Sequence, residues 1–88
     1  KKVRNIMLKL KNVKKENRHI SAKYYPEDWD EYGLVSVSVD NLDDYQVLLS
    51  PTDEKKYKNY PYAIHALNAL RSMACGEREL KDCLIMWY

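Results

Sequence analysis

Leu34-Val35-Ser36-Val37-Ser38-Val39-Asp40 alternates strictly between apolar and polar residues, and the same period of two recurs along the first half of the chain. Side chains two apart share one face of a strand, so such runs read as half-buried strands. Ile6, Leu8 and Leu10 oppose Asn5, Met7, Lys9 and Lys11. Ile20, Ala22 and Tyr24 oppose His19, Ser21, Lys23 and Tyr25. These two runs predict an antiparallel hairpin whose turn is the polar, Lys-rich stretch 12–17. Pro26 lacks a backbone donor and is expected to end the second strand. An acidic, aromatic loop through Gly33 follows. Tyr45 to Leu49 reads as a fourth, short strand after a turn at 41–44.

The second half changes period. Ser50-Pro51-Thr52-Asp53 has the composition of a helix start, with a capping Ser and Pro at the first helical position. Tyr57, Tyr60, Ile64, Leu67, Leu70 and Ala74 recur every three or four residues, which is the helical repeat. Pro61 interrupts this run, so a main helix starting near Pro61 is the preferred reading, and Gly76 is its natural stop. The segment 82–88 is apolar at both odd and even positions. That pattern predicts a central strand or one covered on both faces. The expected fold is therefore α+β: a mostly antiparallel, four- to five-stranded sheet with one main helix packed on one face, in the order β-β-β-β-α-β. Eighty-eight residues make a single domain, 1–88.

A sheet has two faces and this chain offers one main helix. The helix is expected to cover Ile6, Leu8, Leu10, Ile20, Ala22, Val35, Val37 and Val39. Met7 and Leu34 then lie on the other face with one side of the last strand, either Leu84, Met86 and Tyr88 or Cys83, Ile85 and Trp87. Large exposed apolar patches are uncommon on monomers and mark interfaces. Met7, Leu34, Leu84, Met86 and Tyr88 are thus the candidate contact residues, with a homodimer as the simplest partner arrangement.

Charge is sorted along the chain. Residues 1–25 carry nine bases and one acid, 26–54 carry nine acids and no base, and 55–88 carry six bases and three acids, for a net charge of +2. A basic block followed by an acidic block of similar size is expected to neutralise itself on folding. Lys55, Lys56, Tyr57 and Lys58 open a segment (55–62) that interleaves bases with rings, a pattern suited to single-stranded nucleic acid. The N-terminal hairpin adds further lysines. Against this stand a pI near 8.5, the scarcity of Arg, and the acidic block. Trp29 and Tyr32, set among acids, form a candidate aromatic recognition loop for a basic peptide or a cation.

Catalytic and cofactor chemistry finds little support. His19, His65, Cys75 and Cys83 show no close-ligand spacing of the kind structural zinc uses. Neither cysteine sits in a nucleophile signature, and the carboxylate pairs fall in polar loops where they stay solvated and ionised. Gly33 and Gly76 are the only glycines, too few for a phosphate cradle. No apolar run approaches the roughly 20 residues that span a bilayer. Two cysteines without an apolar leader predict reduced thiols and a cytoplasmic setting. The sequence thus predicts a small, non-catalytic intracellular interaction or regulatory module without cofactor or metal, self-associating through an apolar sheet face. Weak single-strand nucleic-acid binding is the alternative.

Overall fold

The computed structural model describes residues 6–27, 30–51 and 61–87. Five antiparallel strands form one sheet: β1 (Ile6–Glu16), β2 (His19–Pro26), β3 (Gly33–Ser38), β4 (Tyr45–Leu48) and β5 (Cys83–Trp87). Their spatial order is β4-β3-β2-β1-β5. Among the described residues the helix α1 (Pro61–Ala74) lies between β4 and β5 in the chain and packs on one face of the sheet. The fold is α+β with the element order read from the sequence.

The hairpin differs from its expected form. Residues 12–16 continue β1, and the turn is only Asn17-Arg18, both in left-handed conformation (φ 51° and 63°). Two positive φ values in a two-residue loop match the twist of the flanking strands. The polar composition of 12–17 conceals a strand because this end of the hairpin projects beyond the core. Between Lys11 and Lys14 the register slips: Lys11 faces Lys23, whereas Lys14 faces Ser21. Asn12 and Val13 thus oppose Ala22 alone, and Asn12 takes a positive φ of 56°. This β-bulge advances the alternation by one residue. Val13 packs against the core, and Lys14 rejoins the face that carries Lys9 and Lys11. The Val13 amide donates to Asp82 Oδ1 at 2.9 Å, which ties the bulge to the loop before β5.

The core lies between the inner sheet face and α1. Leu8, Leu10, Ile20, Ala22, Tyr24, Val35, Val37 and Ile85 meet Tyr62, Ala63, Ala66, Leu67, Ala69, Leu70 and Met73. The expected start near Pro61 borders residues outside the described ones, and along the described helix the buried stripe is rotated from the expected one. Ile64 is exposed and Ala74 half-buried, while Ala63, Ala66 and Ala69 face the sheet. Small residues at the contact let the helix backbone approach closely, so helical period alone does not select the larger side chains. Tyr57 and Tyr60 lie outside the described residues. Val39, expected in the core, is half-buried just past the end of β3.

Tyr24 is fully buried, and its hydroxyl accepts a hydrogen bond from the Ser50 amide at 2.9 Å. Gly33, its register partner, makes room for the ring. A Cβ there would stand 2.3 Å from a Tyr24 ring carbon and 2.5 Å from the Leu48 carbonyl oxygen. At the helix end, Gly76 (φ 80°) donates to the Met73 carbonyl and the Glu77 amide to the Ser72 carbonyl. This pair of bonds is the Schellman closure.

The last strand departs from expectation in position. β5 is the outer neighbour of β1 and forms an edge of the sheet. Its apolar residues on both faces reflect neither a central location nor double cover among the described residues.

Candidate functional site

The sheet face turned away from α1 carries the side chains that alternate with the core residues. Cross-strand register sets its rows. Met7 stands opposite Met86, and Lys9 is flanked by Leu84 and Tyr25. Lys11, Lys23, Leu34 and Leu48 form the next row, followed by Lys14, Ser21, Ser36 and Gln46.

The predicted contact residues therefore fall into two groups. Met7, half-buried, joins Leu84 and Met86 at the β1–β5 side, where Leu84 is 50% and Met86 53% exposed. Leu34, 41% exposed, lies at the β3 side with Leu48, at 64% the most exposed large apolar residue of the sheet among the described side chains. Lysines stand between the two groups. Leu48 was not singled out from the sequence, although its place two residues after Gln46 in an alternating run was the available signal. Tyr88, Trp29, Lys55, Lys56, Tyr57 and Lys58 lie outside the described residues.

Tyr32 is exposed and packs beside Tyr25, with ring centroids 5.3 Å apart and planes tilted by 42°. Two lysines sit over these rings. Lys11 Nζ is 5.3 Å from the Tyr25 centroid, and Lys23 Nζ is 4.7 Å from that of Tyr32. The recognition-loop ring thus belongs to the same surface as the hairpin lysines. A shallow groove of about 460 Å³ runs alongside, lined by Asn12, Lys14, Ser21, Lys23, Leu34, Ser36, Gln46 and Leu48 among others.

The two charge blocks meet at one end of the sheet. Arg18, held in its left-handed turn, grips Asp40 bidentately through Nε and Nη2, with Nε–oxygen distances of 2.7 and 3.0 Å. The Val39 amide donates to the Arg18 carbonyl. Asp40 is held below the usual carboxylate range by hydrogen bonds from Arg18, and the same contact raises Arg18. At the opposite end, Glu27 Oε2 accepts from the Tyr62 hydroxyl at 2.8 Å and from the Met7 amide at 3.2 Å. This carboxylate joins β1, the β2 terminus and α1, so its role is structural. Lys14 pairs with Glu16 on its own strand at 3.7 Å.

His65 is half-buried on α1, and burial pushes its imidazole below the ordinary range. Cys75 is exposed, Cys83 half-buried, and both are free thiols. Among the described residues no group of three His, Cys, Asp or Glu side chains gathers as a metal site. Among those residues, too, no helix is long and apolar enough to cross a membrane. No protein-family model matches the chain, and neither curated proteins nor solved structures give a match.

Proposed function

We propose that this chain is a non-catalytic protein-interaction module that pairs with a second copy of itself along β5. The observation that carries this reading is the edge position of an uncharged strand, Cys83-Leu84-Ile85-Met86-Trp87. An edge strand offers unpaired backbone donors and acceptors, and proteins usually guard it with charge, proline or a bulge. The paired run of β5 contains none of these. An antiparallel two-fold pairing centred on Ile85 sets Leu84 of one copy against Met86 of the other. It extends the sheet and merges two Met7–Leu84–Met86 patches into one covered area. Such an isologous contact is self-complementary by symmetry.

The test is light scattering after size exclusion across a concentration series, at low salt and at 0.5 M salt. The expected result is a concentration-dependent dimer that survives salt, because apolar burial and backbone pairing are little screened. Met86→Asp should yield a monomer with unchanged circular dichroism. A wild-type chain that stays monomeric at millimolar concentration contradicts the reading.

A further inference from the structure

Lys11 and Lys23 are register partners on adjacent strands. Like charges placed directly opposite on one sheet face repel and weaken the pairing. The bulge at Asn12 and Val13 then returns Lys14 to that same face, where an uninterrupted alternation would have turned it toward the core. Three cations therefore converge on one open surface. Two of them lie over Tyr25 and Tyr32. Beside them runs the shallow groove, whose polar lining includes Ser21, Ser36 and Gln46.

From this juxtaposition we infer that the outer face from residues 11–14 of β1 across β2 and β3 to β4 binds single-stranded nucleic acid. The phosphates are taken by Lys11, Lys14 and Lys23, and a base stacks at Tyr25 and Tyr32. A bound polyanion relieves the Lys11–Lys23 repulsion that the isolated fold retains. An exposed cation–ring contact is weaker than a stacked base, so a ring can be yielded to a base while its lysine turns to the phosphate. Serine hydroxyls and the Gln46 amide can both donate to and accept from base edges. An acidic peptide would satisfy the lysines but leave the rings and the polar groove without a role. The inference is independent of dimer formation, since β5 pairs only with residues 6–10 of β1 and Lys11, Lys14 and Lys23 lie beyond that ladder.

The experiment is fluorescence anisotropy with a labelled 15-nucleotide mixed-sequence single-stranded RNA, titrated between 50 and 200 mM salt. Three phosphates neutralised on a single strand give a log–log salt slope of about −2, hence a loss of affinity of roughly 20-fold over that range. Lys11→Gln with Lys23→Gln should weaken binding at least tenfold and bring the slope to about −0.7. This double variant removes a repulsion, so the fold is not endangered. Tyr25→Leu should weaken the single strand while leaving the salt slope unchanged. The Met86→Asp variant should bind as the wild type does per chain. Absence of binding at 50 mM salt overturns the inference. So does binding that survives Lys11→Gln with Lys23→Gln but is lost when Lys55, Lys56 and Lys58 are replaced by Gln. Equal competition by poly-glutamate of matched charge overturns it in favour of an acidic polypeptide.

Discussion

The two faces of this sheet are built from the same strands by the same alternation, yet they have opposite uses. On the inner face Leu8, Leu10, Ile20, Val35 and Val37 are essentially inaccessible against α1. On the outer face their chain neighbours Met7, Lys9, Lys11, Leu34 and Ser36 remain half-buried or exposed. Substitution within the inner face should therefore be read in stability, and substitution on the outer face in association. The contrast teaches that apolar character alone does not locate a core. Leu84 and Leu70 are the same residue type, one 50% exposed and the other fully buried.

The sharpest way to break this comparison is to truncate both. Leu70→Ala should cost about 2–5 kcal/mol in denaturant unfolding, from lost burial and the cavity left behind. Leu84→Ala should fall within about 0.5 kcal/mol of the wild type when measured on the monomer. Equal losses at the two positions would contradict the assignment of faces. Gly33→Ala tests the inner face where the Tyr24 ring leaves no room for a side chain. The new Cβ meets the Tyr24 ring and the Leu48 carbonyl oxygen, and overpacking of this kind costs about 1–3 kcal/mol. A neutral Gly33→Ala would show that β3 and β4 are free to shift.

Most of the inner face was legible in the sequence because strict alternation needs only local order. Val35, Val37, Ile20 and Ala22 fell where the pattern placed them. The bulge was not legible. A single extra residue reverses the phase, and Asn12 within a lysine-rich run resembles a turn as much as a strand. That one residue decides whether Lys14 joins Lys11 and Lys23. The helix stripe was legible in period but not in phase, since alanines carry little apolar signal yet make the closest approach. The edge position of β5 depends on which strand the returning chain pairs with. Its apolar composition fits a central strand equally well. For the candidate site, alternation put Met7 and Leu34 on the face turned from the helix but left open which side of the last strand joins them; register selects Leu84 and Met86 and reveals the lysines that divide the groups.

Smaller effects sharpen the account of how the outer face is held in shape. Asp82→Ala removes the acceptor of the Val13 amide at the bulge. A loss of about 1 kcal/mol is expected, together with faster hydrogen exchange of that amide. A smaller effect comes from acid. Folding lowers the pKa of Asp40, so the stability it contributes is present above the ordinary carboxylate range. That contribution is lost as pH falls through the depressed folded value. Asp40→Asn should flatten the corresponding part of the acid-unfolding curve. His65 gives the weakest dependence. Its pKa is lowered by burial, so the unfolded chain binds the proton more readily. Stability should fall slightly as pH drops below the ordinary histidine range, and His65→Gln should remove that slope.

The pairing of two copies along β5 is tested most directly by amide hydrogen exchange of residues 83–87 at two protein concentrations. If the strand pairs with its counterpart, its outward-facing amides slow markedly as concentration rises, and Met86→Asp abolishes the change. Exchange at those amides that is fast and independent of concentration, while the β1–β3 amides remain protected, would contradict it.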